Sequence, residues 1–283
     1  MDIGALWDDL QESLTPLLGS FRARLDDLDV STKADHTLLS EADIAVQEHI
    51  VSKILAVDPT AHIVAEEEQE ALEGNTGSGS GRTWIIDPID GTAQFVRPDD
   101  VEFCSVICLL QDRRPVAAFV LAPELGPERS PIRVSVAGIG RPIEVNGHKA
   151  AARAADEPLR ASVTRSSGTQ PRPWEQTLLD AGFELKTRTT SQTLDMVRTC
   201  VDLSEVTEPK LNQFALFYRE RQKVWDGAAG MCLAQASGLR VSDRNGVDRP
   251  VIDLDFNVAE PQFPSTLVTL PTLPAAIVDA FAE

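Results

Sequence analysis

Trp84-Ile85-Ile86-Asp87-Pro88-Ile89-Asp90-Gly91-Thr92 is the stretch on which the reading of this chain turns. Its apolar start has the character of a buried strand, and it ends in two aspartates three positions apart. Pro88 fixes its own φ and drives Asp87 towards extended geometry, so the strand end is stiff. Gly91 lets the backbone turn sharply or approach a ligand closely. Two carboxylates on a rigid strand end suit a hard divalent cation such as Mg2+. If a helix or nest begins at Gly91 and Thr92, their N–H groups suit an anion beside it. Asp-Pro and Asp-Gly are also common turn dipeptides, so a plain turn is the competing reading.

Upstream, residues 5–28 predict a helix, with Leu6, Leu10, Leu14, Leu18, Phe21 and Leu25 at helical spacings and Pro16 as a point of kinking. A second helix is expected after Ser40, with Ala42, Val46, Ile50 and Ile54 as its apolar stripe and Asp58-Pro59 as its end. Ala61–Ala65 is a short strand candidate running into the acidic Glu66-Glu67-Glu68-Gln69-Glu70, followed by a flexible Gly/Ser loop over 74–81. Downstream, 101–110 and 116–121 predict a hairpin, and Asn146-Gly147 marks another turn. Strands are expected at 161–165, 183–186, 214–218 and 239–242. Helices are expected at 173–182, 193–203, 226–237 and 273–281, with Gly182 and Gly238 as stops. Irregular alternation with several hairpins fits a layered α/β or α+β sandwich rather than a doubly wound parallel sheet. We divide it into an N-terminal half, 1–155, carrying the Asp-Pro-Ile-Asp-Gly-Thr segment, and a C-terminal half, 156–283.

The chain has 283 residues and a formal net charge of −18. That acidity argues against a nucleic-acid polymer as partner, because the basic footprint is missing. An anionic substrate would have to be drawn in by local cations against the global field. Cys104, Cys108, Cys200 and Cys232 form no Cys-x-x-Cys pair and read as small buried hydrophobes. The four histidines lack zinc-type spacing. The N-terminus lacks signal-peptide character and no apolar run reaches ~18 residues, so a cytoplasmic protein without membrane contact is expected.

Other carboxylates could join Asp87 and Asp90. Glu66 follows a short strand and can lie at the same sheet end, although acidic runs are usually solvated loops. Asp226 follows Val224-Trp225 and opens a helix, where it also reads as an N-cap. Asp43 also reads as the partner of Ser40 in a capping box.

Together these residues resemble the inositol monophosphatase family, in the superfamily of lithium-sensitive, Mg2+-dependent phosphatases that includes 3′(2′),5′-bisphosphate nucleotidases. The resemblance rests on Trp-Ile-Ile-Asp-Pro-Ile-Asp-Gly-Thr, on Glu66-Glu67 before it and on Trp225-Asp226-x-Ala228-Ala229 after it. Lys33-x-Asp35, Leu39–Asp43, Pro123-Glu124-Leu125-Gly126 and Asn146-Gly147 follow the family's order, so the match spans about Lys33 to Ser242. Ala65, Gln94 and Ser40 depart from the usual pattern without removing a ligand.

The resemblance implies a five-layer αβαβα sandwich. It implies two or three Mg2+ held by Glu66, Asp87, the Ile89 carbonyl, Asp90 and Asp226, and hydrolysis of a phosphomonoester by metal-activated water. Glu66, Thr92 and Asp43 would serve that water, with Asp43 orienting Thr92. Substrate contacts would fall on Asp90, Gly91, Thr92, Ser191, Arg219 and Asp226. The substrate would be a small phosphorylated sugar, cyclitol or nucleotide, with histidinol phosphate also open, and the family suggests a homodimer. Where inositol-preferring members carry an acid, this chain has Arg219, beside Tyr218. An arginine there favours a second anionic group and thus a bisphosphate nucleotide. The competing reading is a charged strand end and turn, and Glu220 could instead accept sugar hydroxyls. A non-catalytic relative that binds metal or a phosphorylated metabolite is the alternative of another class.

Overall fold

Strands that are apolar on both faces fix the layering of this protein. The computed structural model describes residues 1–24, 30–32, 38–67, 81–151, 159–163 and 171–282. Lys33, Asp35, Glu68 to Glu70, the Gly/Ser run before Gly81 and Ser166 lie outside the described residues. In chain order, helix α1 spans Ile3–Arg22, and strands β1 (Val30–Thr32) and β2 (Leu38–Ser40) pair before helix α2 at Glu41–Val57. Strands β3 (His62–Ala65) and β4 (Arg82–Asp90) lead to the short helix α3 at Thr92–Phe95. Strands β5 (Cys104–Gln111), β6 (Arg114–Ala122), β7 (Ile132–Val136), β8 (Glu144–Val145) and β9 (His148–Lys149) complete a first sheet in the order β3-β4-β5-β6-β7-β8-β9. Next come β10 (Arg160–Val163), α4 (Pro173–Asp180), β11 (Glu184–Lys186), α5 (Gln192–Cys200), β12 (Leu216–Lys223) and α6 (Val224–Ala236). Strands β13 (Arg240–Ser242) and β14 (Gln262–Thr269), helix α7 (Ala275–Asp279) and a final 3-10 turn end the chain. The second sheet has the order β11-β10-β12-β14-β13.

Side chains alternate across each central strand. Trp84, Ile86, Ile107, Leu109 and Phe119 meet Leu10, Leu14, Val46 and Ile50 of α1 and α2. Ile85, Val106, Cys108 and Val120, on the opposite face, meet Met196, Val197, Ala228 and Leu233 of α5 and α6, which also cover Phe217, Phe263 and Val268 of the second sheet. The outer face of that sheet, with Val163, Leu216 and Leu267, is covered by Trp174, Leu178, Ile277 and Phe281. The result is the αβαβα sandwich that the resemblance implies. All four cysteines are buried and free, as small core residues are. No helix among the described residues is long and apolar enough to cross a membrane.

Two sequence expectations need correction, and one strand lies where none is expected. Helix α1 begins earlier than expected, at Ile3, holds Pro16 within it and ends at Arg22, short of the expected 28. The charged run after Tyr218 does not leave the sheet as a turn, because β12 continues to Lys223 along β14. Strand β14 itself was not foreseen. It carries Pro264, which has no N–H for a ladder bond, and the register passes from the Glu220–Ser265 pair to the Gln222–Phe263 pair across that point.

Candidate active site

The site grows from the end of β4. In a regular strand Asp87 and Asp90 would face opposite sides. Here the pairing with β5 shifts register between them, and the Ser105 hydroxyl donates to the Pro88 carbonyl left out of the ladder, at 2.6 Å. The bulge re-aims Asp90, so both aspartates face α6. There they meet Asp226, in the first turn of that helix, and the three residues offer carboxylate oxygens within 4.8 Å of one another.

Glu66 joins them from the end of β3, where its N–H donates to the Ile86 carbonyl at 3.1 Å. The buried Gln47 of α2 fixes this corner. Its amide receives the Glu67 N–H at 2.9 Å and donates to the Glu67 carbonyl at 2.8 Å. Gly91 then turns the chain at a φ of +95° into α3. A Cβ there would stand 3.1 Å from the Glu102 carbonyl and 3.3 Å from Phe103 Cβ, so glycine is required for both conformation and space. The first N–H groups of α3 have no partner within the helix. These elements wall a cavity of about 440 Å³ lined by Glu66, Asp87, Ile89, Asp90, Gly91 and Thr92 on one side, and Gln192, Arg221, Lys223 and Asp226 on the other.

Electrostatically the site gathers acidic side chains in a buried setting. Burial pushes the Asp87 carboxyl well above the usual carboxylate range, and Glu66, Asp90 and Asp226 add to the rise. Asp226 is raised well above it too, by burial and then by Asp90 and Glu66. Asp90 is also raised by burial, but hydrogen bonds from Ser191, Thr193 and Gln192 oppose the shift. Asp87 Oδ1 is buried with no hydrogen-bond donor at all. An orphaned carboxylate oxygen among acids has the chemistry of a cation ligand, and an all-oxygen donor set selects hard cations.

The expected residues do not all meet. Asp87, Ile89, Asp90, Gly91, Thr92, Glu66 and Asp226 share the cavity. Asp43 is buried in the first turn of α2, while the Thr92 hydroxyl donates to the Ile89 carbonyl at 3.1 Å. Ser191 is buried and does not line the cavity; its hydroxyl donates to Asp90 Oδ2 at 2.7 Å and caps α5 by accepting the Leu194 N–H at 2.9 Å. Arg219 is 2% exposed and donates to Asp195 and Ser162 behind the site, so it is placed away from any substrate in the cavity. Tyr218 packs between Trp174 and Phe281, and its hydroxyl donates to Glu220 at 3.0 Å. Glu220 also accepts from Arg172 at 2.8 Å. Two other cations of this strand line the cavity, Lys223 and Arg221, the latter two residues along from Arg219, exposed and at a φ of +51°. Sequence reasoning missed Gln47, Gln192, Thr193 and Arg221. Only Arg221 had a signal, its place within the basic run before Trp225.

Acids at a strand end, a glycine-led helix start and a cavity lined by both, set in this sandwich, fit the phosphoric monoester hydrolases of the family whose model the chain matches. A model of the inositol monophosphatase family matches residues 11–271, and the chain belongs to that family. It is 28% identical over 224 residues to the Nus factor SuhB of Pseudomonas aeruginosa, covering 79% of this chain and 78% of that protein. It is 26% identical over 223 residues to the 3′(2′),5′-bisphosphate nucleotidase CysQ of Escherichia coli K12, covering 77% of this chain and 81% of that one. In structure it is similar to an IMPase/NADP phosphatase complexed with NADP and Ca2+, with a TM-score of 0.73 and 19% identity over 98% of this chain and 94% of that one.

Proposed function

We propose that this chain is a Mg2+-dependent phosphomonoesterase acting on a small phosphorylated sugar, cyclitol or nucleotide. The observation that carries the reading is the buried trio Asp87, Asp90 and Asp226, with one Asp87 oxygen lacking any donor. Glu66, Asp87, the Ile89 carbonyl, Asp90 and Asp226 would hold two or three Mg2+. When bound, such cations would supply Lewis-acid chemistry: polarising the phosphate ester, lowering the pKa of water and stabilising the departing alkoxide. The protein's own groups do the rest. The N–H groups of Gly91 and Thr92 would donate to phosphate oxygens. The Thr92 hydroxyl directs its proton to the Ile89 carbonyl, so its lone pairs are left for an O–H of the attacking water. Asp43 would orient Thr92, and Asp226, which lines the cavity from α6, would face the leaving alcohol.

Purified protein with Mg2+ is expected to release phosphate from members of a phosphate-ester panel, whereas Asp90→Asn is not. Release no greater than that of the variant would instead make the chain a non-catalytic metabolite-binding relative.

A bisphosphate nucleotide is the substrate that Arg221 favours. It lines the cavity and forms no ion pair among the described residues, whereas Lys223 beside it is paired with Glu260. An unpaired guanidinium at the mouth of an acidic cavity suits a second phosphate by bidentate pairing. The nucleotidase named above and the NADP-bound phosphatase fit this reading. Arg221→Ala is expected to lower kcat/KM for 3′-phosphoadenosine 5′-phosphate by roughly 10- to 100-fold, the worth of a charge-assisted hydrogen bond. Inositol 1-phosphate should lose far less. Equal losses on the two esters would reject the second-anion role.

A further inference from the structure

Behind the cavity lies a second cluster of buried charge that no step above uses. Asp195 of α5 is 0% exposed and accepts four hydrogen bonds. Oδ1 takes Lys186 Nζ of β11 at 2.7 Å and Arg198 Nη1 at 3.2 Å. Oδ2 takes the Ser162 hydroxyl of β10 at 2.6 Å and Arg219 Nη2 of β12 at 3.2 Å. Arg219 also donates to Ser162 Oγ at 2.8 Å and to the Tyr218 carbonyl at 2.9 Å. One carboxylate on α5 is thus tied to three strands of the second sheet. Lys186 extends the tie to the Thr190 hydroxyl, at 2.8 Å, just before the helix.

Burying such a cluster is costly, and ion pairs of this kind are weak sources of net stability. What this one does hold is geometry. One turn before Asp195, α5 opens with Ser191, Gln192 and Thr193, and that turn grips two of the three clustered aspartates. Asp90 receives the Ser191 hydroxyl and the Thr193 N–H at 2.7 Å each, and the Gln192 N–H at 3.3 Å. Asp226 receives the Gln192 side-chain amide at 2.7 Å, and its carbonyl accepts the Thr193 hydroxyl at 2.9 Å. Four hydrogen bonds from one turn decide which carboxylate oxygens of Asp90 and Asp226 are left facing the cavity, and a fifth holds the Asp226 backbone. A helix that slid or rotated against the second sheet would lose them together.

We propose that Asp195, with Arg219 and Ser162, is a positioning device for the cation site: it locks α5 to the second sheet so that its first turn presents Asp90 and Asp226 in register with Asp87. This rests on the Mg2+ reading given above. It gives Arg219 a role opposite to that of a substrate selector, because it acts through the ligands rather than on the substrate. Groups that orient ligating carboxylates typically contribute 10- to 100-fold in metal affinity.

The test is Mg2+ titration calorimetry on metal-free protein, run well below each variant's melting temperature. Asp195→Asn and Ser162→Ala are expected to weaken Mg2+ binding by roughly 10- to 100-fold and several-fold respectively, with phosphatase activity recovering at saturating Mg2+. Leu178→Ala, expected to destabilise the protein by opening a cavity on the far face of the second sheet, should bind Mg2+ as wild type does. Arg219→Gln should weaken Mg2+ binding and leave the ratio of bisphosphate to monophosphate turnover unchanged. A lower melting temperature with unchanged Mg2+ affinity in the Asp195 and Ser162 variants would overturn the proposal by making the cluster structural only. If Asp195→Asn does not fold, Ser162→Ala decides alone, since wild-type Mg2+ affinity there has the same meaning. Wild-type protein that binds no Mg2+ is a separate result and rejects the cation reading itself.

Discussion

Asp87→Asn is expected to abolish phosphatase activity and at the same time raise the melting temperature of the metal-free protein. The loss follows from the proposed ligand role: removing a charged ligand forfeits several kcal/mol of transition-state stabilisation, about 10³-fold in rate. The gain in stability follows from the same geometry. Asp87 is 1% exposed, faces three other acids and leaves Oδ1 without a donor. Burial, then Glu66, Asp90 and Asp226, hold its carboxyl well above the usual carboxylate range. A carboxyl raised in the folded state binds more protons folded than unfolded between the two pKa values. Its contribution to stability is therefore greatest below the unfolded value of about 3.9 and falls as pH rises towards the folded one. At neutral pH without a cation the fold carries that cost, about 1.4 kcal/mol for every tenfold by which folding weakens the acid. Melts in EDTA at pH 5 and pH 8 measure it. Wild type should lose stability between the two, the variant should lose less, and at pH 8 the variant should melt a few degrees higher. Saturating Mg2+ should reverse the order, because only wild type gains the binding energy. A variant that melts below wild type in EDTA, or keeps a tenth of its activity, would refute this account.

How much of this could be read from the chain depended on whether the signal was local. Strands β5 and β6 were legible because two continuous apolar runs flank Gln111–Pro115, and the structure closes them at Asp112 and Arg113, both at positive φ. The acids of the site were legible because Asp87-Pro88-Ile89-Asp90-Gly91-Thr92 is short and specific, and Trp225-Asp226 sits on a helix start. What orients those acids was not legible. Gln192 lies 34 positions from Asp226 along the chain, and nothing in a glutamine's neighbours says that it will reach an aspartate. Arg219 was misplaced for a related reason. Alternation in β12 puts Phe217 and Arg219 on the inner face and Tyr218 on the outer one. The charged run Arg219-Glu220-Arg221 hides that period, and the burial of Arg219 depends on Asp195, 24 positions away. Strand β14 was lost to Pro264, which marks a strand's end in a sequence but is tolerated where the ladder skips a bond.

Arg22→Ala is expected to be the most destabilising single change away from the site. Arg22 closes α1 and is buried. Its guanidinium meets Glu124 in a fork, Nε to Oε1 at 2.9 Å and Nη2 to Oε2 at 3.1 Å. It also donates to the carbonyls of Phe95, Arg97, Pro98 and Asp100, the last three at 2.9 to 3.0 Å. Those carbonyls belong to the chain that leaves α3, so this one side chain clamps the segment behind the Gly91–Thr92 wall of the cavity. Its plane lies over Phe103, 5.0 Å from the ring centre. Truncation removes all of this and leaves acceptors behind without donors. Breaking a buried pair costs about 3–5 kcal/mol. At about 2–4 °C per kcal/mol for a chain approaching this size, the melting temperature should fall by roughly 10 °C. Arg22→Lys should recover little, because an ammonium cannot reach a carboxylate and four carbonyls in one plane. Arg129, which also pairs with Glu124 at 2.9 Å, is half-exposed, so Arg129→Ala should shift the melt by about a tenth as much. Thermal melts of the three variants decide the matter. If Arg22→Ala melts within about 2 °C of wild type, no more than the shift expected for 1 kcal/mol, the segment after α3 is held by its own packing and not by the fork.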